Sequence, residues 1–147
     1  MPTRSARTTW TGGLQDGTGT VTLASSGAGS YEVSFPRRAA DDAGGTTSPE
    51  ELIAAAHTAC FGMQFAALLG QAGGAGQSLD VTGDVTLSPD PAGGFRISGI
   101  ALTVRGSAQG VSPAEFAKIA QEAKSACPVS KALAGTDISL TVGEAEA

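Results

Sequence analysis

Between Thr8 and Phe35 the chain runs in short Thr-, Val- and aromatic-containing segments, Thr8 to Gly12, Thr18 to Leu23 and Tyr31 to Phe35, each bounded by Gly and Ser. This pattern predicts three strands in a meander. From Pro36 to Thr47 the sequence PRRAADDAGGTT is polar and Gly-rich, and reads as a long loop. Ser48, Pro49 and Glu51 then combine a capping box with proline at the first helical position, so a helix starts there. It runs through LIAAAHTACFGMQFAALL to about Gly70 or Ala72, where the glycines of QAGGAGQ stop it. Alternating Leu79, Val81, Val85 and Leu87 predict a strand, and Phe95, Ile97, Ile100, Leu102 and Val104 predict another after the turn SPDPAGG. Apolar parity flips within that second strand, which predicts a bulge at Ser98-Gly99. Ser112, Pro113 and Glu115 repeat the helix-start signal. The helix they open has Phe116, Ile119, Ala120 and Ala123 on one face, and four residues further the same spacing puts Cys127 there. Ile138 to Val142 alternate as a last strand. The order expected is βββ-α-ββ-α-β, one α+β domain over residues 1–147.

The first long helix is apolar on nearly every side, and no Asp, Glu, Lys or Arg occurs from Leu52 to Leu79. Such a helix is either buried all round or spans a membrane. Its alanine content, His57, Gln64 and the lack of flanking basic residues or an aromatic belt favour burial. In a chain of 147 residues, full burial calls for a second subunit, so a homodimer is expected. Composition narrows the partners further. Net charge is −5 and the nine Lys and Arg residues form no cluster beyond Arg37-Arg38, which argues against nucleic acid and against an anionic membrane surface. The opening MPTRSARTTW has no apolar run behind its basic residues, so no secretory signal is expected and the cytoplasm is the expected compartment. There the two cysteines would rest reduced, and any bridge between them would be transient.

Those cysteines, Cys60 and Cys127, are the candidate chemical groups. Both fall on inward helix faces, where a free cysteine commonly serves as a small core residue. Burial disfavours a thiolate, so Cys60 becomes a nucleophile only if a cation is brought to it. Arg38 and Glu50, near the ends of the long loop, are the charged groups best placed to enter a site. His57 stands three residues before Cys60 on the same helix face, which would allow a Cys-His dyad and a thiol hydrolase. The alternative is a packed or hydrogen-bonded core histidine. Zinc held by Cys60, Cys127 and His57 would match no finger or ribbon spacing, and no glycine run forms a phosphate-binding fingerprint. A non-enzymatic domain binding small apolar ligands, with both thiols as core filling, is the remaining alternative.

SPEELIAAAHTACFGMQF, preceded by SFPRR and followed later by SACPVSKAL, resembles the OsmC/Ohr family, and within it the osmotically inducible protein C branch. The similarity extends from TTWTGG to the final strand. It implies an intertwined α+β homodimer, with antiparallel sheets around two long central helices. It also implies a thiol peroxidase of the oxidative and osmotic stress response that reduces organic (alkyl or lipid) hydroperoxides to alcohols, with no cofactor, metal or haem. By resemblance Cys60 is the peroxidatic cysteine, Cys127 the resolving cysteine that closes a Cys60-Cys127 disulfide, and Glu50 the acidic partner of an active-site arginine. Arg38 follows Phe35 by three, as in that branch, and its neighbour Arg37 is the alternative. The arginine of the Ohr branch is absent, since LQDGTGTV contains none. A dithiol reductant, with lipoyl-bearing proteins implied by the family, would reopen the bridge.

Overall fold

The computed structural model describes residues 1–144; the last three positions of the single domain expected over 1–147 lie outside the described residues. Two compact units divide the chain, Met1–Leu52 and Ile53–Ala147.

In the first unit, β1 (Arg7–Thr11), β2 (Thr18–Thr22) and β3 (Ser30–Val33) form the expected antiparallel meander, in the order β1-β2-β3. The stretch read as all loop opens instead with one helical turn, α1 (Phe35–Arg38). Ser34 caps it, accepting from the Arg37 amide at 3.4 Å, with Pro36 in the first turn. This is the same serine-proline start that marks the longer helices, and in so short a run it was hidden by the polar sequence that follows. An isolated parallel bridge between Val33 and Thr47 ties the two ends of the loop together. At its far end α2 (Pro49–Gln71) begins. Ser48 Oγ accepts from the Glu51 amide at 3.1 Å, while the Glu51 carboxylate takes the hydroxyl of Thr47, one residue earlier than the capping box anticipates.

The second unit contains the main core. Along α2 the fully buried His57, Phe61, Phe65 and Leu69 recur every fourth position, one continuous stripe. Two positions round the helix, Ala55, Ala59, Met63 and Ala67 form an exposed apolar stripe. Length and composition alone would let α2 cross a membrane, but its buried stripe packs into the core of this unit, as a core helix does. Gly73, in the left-handed region at φ 85°, ends it, and the Gly74 amide returns to the Leu69 carbonyl at 2.8 Å.

β4 (Ala75–Pro89) and β5 (Phe95–Gln109) make a long antiparallel hairpin, longer at the ends near Gly74 and Gln109 than hydrophobic alternation indicates. Thr86 pairs with Gly99 and Leu87 with Ile97, so Ser98 is the extra residue and the parity flip is a bulge, as expected. α3 (Pro113–Ala126) starts in a complete capping box between Ser112 and Glu115 and buries Phe116, Ile119, Ala120 and Ala123. A short helix absent from the expected order, α4 (Pro128–Ala132), follows directly. Pro128 cannot continue the α3 hydrogen bonds but suits the first position of a new turn. β6 (Ile138–Glu144) then pairs with β5 in parallel, Leu102 opposite Leu140. The sheet β4-β5-β6 is therefore mixed rather than antiparallel. The helical connection through α3 and α4 returns the chain to the end where β5 began, which is how parallel neighbours are joined.

Phe65 meets Phe61 at 5.7 Å and Phe116 edge-on at 4.8 Å between ring centroids, fixing α2 against α3. Gly83 of β4 permits close approach of α2, because a Cβ there would lie 3.0 Å from Thr58 Cγ2. These contacts set the faces of α2 and α3 that carry the thiols.

Candidate active site

In the first unit the chain forms a charged fork. Arg38 ends α1 and Glu50 stands in the first turn of α2, and the bridge Val33-Thr47 closes the loop between them. Arg38 Nε donates to both Glu50 oxygens at 3.1 and 3.2 Å, and its terminal Nη2 donates to Oε1 at 2.7 Å. Glu50 is buried, and about a third of the Arg38 side chain remains exposed. The carboxylate thus holds one edge of the guanidinium plane and leaves Nη1 free of it. Arg37 is arranged differently. Its guanidinium lies across Gly44, where a Cβ would fall 2.5 Å from Nη1. The structure brings Arg38, and not Arg37, to Glu50.

In the second unit the two thiols meet. Cys60 on α2 is half-buried and Cys127, between α3 and α4, is fully buried; both are free. Phe116, Ile119, Ala120 and Ala123 bury the α3 face that points Cys127 inward, as its spacing predicts. Cys60 and Cys127 are neighbours, and each influences the other's ionisation. Burial pushes the Cys60 thiol up, the Val129 amide offsets part of this, and the neighbouring Cys127 sulfur raises it again. Burial also pushes Cys127 upward, but donors outweigh it: first the Ser130 amide, then the Cys60 thiol, the Ser130 hydroxyl and the Val129 amide. Cys127 is held below the ordinary thiol range as a result. No side-chain cap closes the start of α4, so these amides act on the sulfur without full capping geometry. No Lys or Arg of this unit is among the influences on either thiol.

His57 does not serve Cys60. Its Nε2 lies 2.7 Å from Ser130 Oγ, in a fully buried position, and burial lowers its pKa so that the ring is neutral. Ser130 was not anticipated as a site residue. It lies three residues after Cys127, but its partnership with a histidine 73 positions away has no local signature. Among the described residues no group of three His, Cys, Asp or Glu side chains is gathered closely enough to hold a metal ion.

Comparison with known proteins identifies the family. The family model described as OsmC-like protein matches residues 41–142. Peroxiredoxin OsmC of Escherichia coli (strain K12) is 41% identical over 124 residues, covering 84% of this chain and 85% of that protein. Organic hydroperoxide resistance protein OhrA of Bacillus subtilis (strain 168) is 36% identical over 100 residues, 67% of this chain and 68% of its own length. Among solved structures, an organic hydroperoxide resistance protein from Elizabethkingia anophelis superposes with a TM-score of 0.76 at 29% identity, over 98% of this chain and 97% of that one.

Proposed function

The chain belongs to the OsmC-like family, and from that premise we propose that it is a cysteine peroxidase that reduces organic hydroperoxides in oxidative and osmotic stress. The observation that carries this reading is the thiol pair, in which one sulfur is open to a small substrate and the other is buried against it with several donors. The accessible sulfur, Cys60, is the peroxidatic one. About 3% of an ordinary thiol is ionised at pH 7, and the surroundings of Cys60 reduce that fraction. A guanidinium about 4 Å away contributes roughly 4 kcal/mol at an effective dielectric of 20, on the order of three pKa units. Arg38, oriented by Glu50, is the cation proposed for this task.

Cys60 thiolate attacks the distal oxygen of the hydroperoxide. The O–O bond breaks, the alkoxide leaves and takes a proton to become an alcohol, and Cys60 becomes a sulfenic acid. The exposed edge of the guanidinium would hold the peroxide oxygens and stabilise the developing alkoxide. Cys127 then closes a Cys60-Cys127 disulfide, and a dithiol reductant, of which a lipoyl protein is the proposed example, reopens it. No cofactor takes part in this scheme.

Glu50 and Cys60 are ten positions apart on one helix (60 − 50 = 10), about 15 Å of axial rise. A glutamate-held arginine therefore reaches a cysteine most simply across a two-fold axis. The exposed stripe of Ala55, Ala59, Met63 and Ala67 on α2 offers the apolar face that a second copy would cover. We place residues 1–147 in such a homodimer as one OsmC-like domain, intertwined with its partner. The compartment proposed is the cytoplasm, where thiols rest reduced. The hydrolase alternative requires His57 at Cys60, and the Nε2 of that ring is taken up by Ser130. Adding cumene hydroperoxide to the reduced protein and counting thiols is the test. Rapid loss of both thiols per chain is expected; no loss would favour a hydrolase or a ligand-binding domain, which turnover of an active ester would separate.

A further inference from the structure

A buried polar pair stands behind the Cys127 sulfur, and the chemistry above leaves it unused. His57 and Ser130 are both buried and 2.7 Å apart between Nε2 and Oγ. The second ring nitrogen, Nδ1, is buried with no hydrogen-bond partner. An orphaned N–H in a protein interior is rarer and more costly than an unused lone pair. The ring proton therefore belongs on Nε2, and His57 donates to Ser130 Oγ. This leaves the serine's own hydrogen free for another acceptor, and the Cys127 sulfur, three positions earlier at the start of α4, is the group whose ionisation that hydroxyl favours. The donors would then run in one direction, His57 Nε2–H to Ser130 Oγ and Ser130 Oγ–H toward Cys127 Sγ, each polarising the next. The groups that face this sulfur are the Cys60 thiol from α2 and, from α4, the Ser130 hydroxyl with the Ser130 and Val129 amides. All are donors; no carboxylate and no cation is among them.

We propose that His57 and Ser130 are positioning residues for the second half of the reaction, holding the Cys127 sulfur as an aimed nucleophile for the sulfenic acid formed on Cys60. The inference rests on the peroxidase reading. In that step Cys127 sulfur attacks Cys60 sulfur, the S–S bond forms and the S–OH bond breaks. The leaving hydroxide takes up the proton that Cys127 has shed and departs as water, so no outside oxidant or reductant is needed. The two sulfurs are thereby activated by different means: Cys60 by a cation, Cys127 by a chain of neutral donors fixed within α2 and α4.

Two measurements test this. The first avoids hydroperoxide: on a Cys60→Ser background, thiolate absorbance of Cys127 is followed against pH. Ser130→Ala should move the midpoint up by about one unit or more, and Ser130→Thr, which keeps the hydroxyl, should bring it back. His57→Leu should move it in the same direction by less. The second follows the cysteine-intact chain after hydroperoxide by quenched flow and mass spectrometry. Ser130→Ala should form the Cys60 sulfenic acid at the wild-type rate but close the disulfide about tenfold more slowly, with its pH profile displaced upward. An unmoved midpoint, or an unchanged rate of disulfide closure, would overturn the proposal. If the midpoint moves but no variant, nor the wild type, forms a sulfenic acid, the peroxidase reading is rejected and the catalytic use of the chain falls with it.

Discussion

In Met1–Leu52 the one buried hydrophobic side chain among the described residues is Val21, while Trp10, Leu14 and Tyr31 are exposed, and the strongest polar contact is the fork of Arg38 on Glu50. In Ile53–Ala147 the stripe of α2, the face of α3 and the centre of β5 form a continuous core, and the reactive groups are two sulfurs that no cation of the unit stabilises. Ordering a strand residue costs about 1–2 kcal/mol of backbone entropy, which a sheet with so little burial cannot recover alone. The first unit therefore has charge but needs apolar cover, and the second has a core but needs charge. The proposed second copy of the chain would meet both needs at once, and the proposed peroxidase chemistry would follow from it.

The largest effect should come from removing the sulfur. Cys60→Ser is expected to abolish hydroperoxide consumption in the presence of a dithiol reductant, because the other thiol among the described residues, Cys127, is buried; residual turnover within tenfold of wild type would move the chemistry elsewhere. Removing the charge comes next. Arg38→Ala should raise the Cys60 pKa by up to about three units and slow sulfenic acid formation at pH 7 by about a hundredfold or more, whereas Arg37→Ala, whose guanidinium lies over Gly44, should leave both near wild type. Thiolate absorbance on a Cys127→Ser background measures the first and rapid-quench mass spectrometry the second. Cys127→Ser itself should permit one turnover and then carry Cys60 on to the sulfinic acid, seen as a gain of two oxygens; multiple turnover at the full rate would remove Cys127 from its resolving role.

The smallest effect concerns the second unit's stability. His57 is held neutral by burial, below its ordinary value of 6.5. The unfolded chain therefore binds a proton there that the folded chain refuses. Stability from this site is complete above about pH 6.5 and is lost as pH falls below that value toward the folded pKa, by at most about 1.4 kcal/mol per pH unit. Urea midpoints taken at several pH values between about 7.5 and 5 should fall more steeply in the wild type than in His57→Gln. Parallel curves would mean that burial does not depress the ring's pKa.

Much of this organisation could be read from residue order. The helix starts at Ser48 and Ser112, the stop at Gly73, the parity flip at Ser98 and the inward position of Cys127 are local signals, since each depends on residues within a few positions of one another. Arg38 was separable from Arg37 only by its distance from Phe35, and the fork on Glu50 shows the physical difference between the two side chains. The parallel pairing of β6 was hidden because alternation specifies a strand's faces and not its direction. α1 and α4 were hidden by their length, one turn each, too short for an apolar period. The bond from His57 to Ser130 has no signature in spacing at all, because it exists only once α2 packs against α4.

The most direct test of a site shared between two copies is subunit mixing. Cys60→Ser and Arg38→Ala, each inactive alone, are unfolded together and refolded in equal amounts, and hydroperoxide turnover is measured on preparations in which heterodimers are demonstrated. If the thiols of one chain use the arginine of the other, each heterodimer has one intact site and activity returns toward about a quarter of wild type. Proven heterodimers that stay inactive would contradict the shared site.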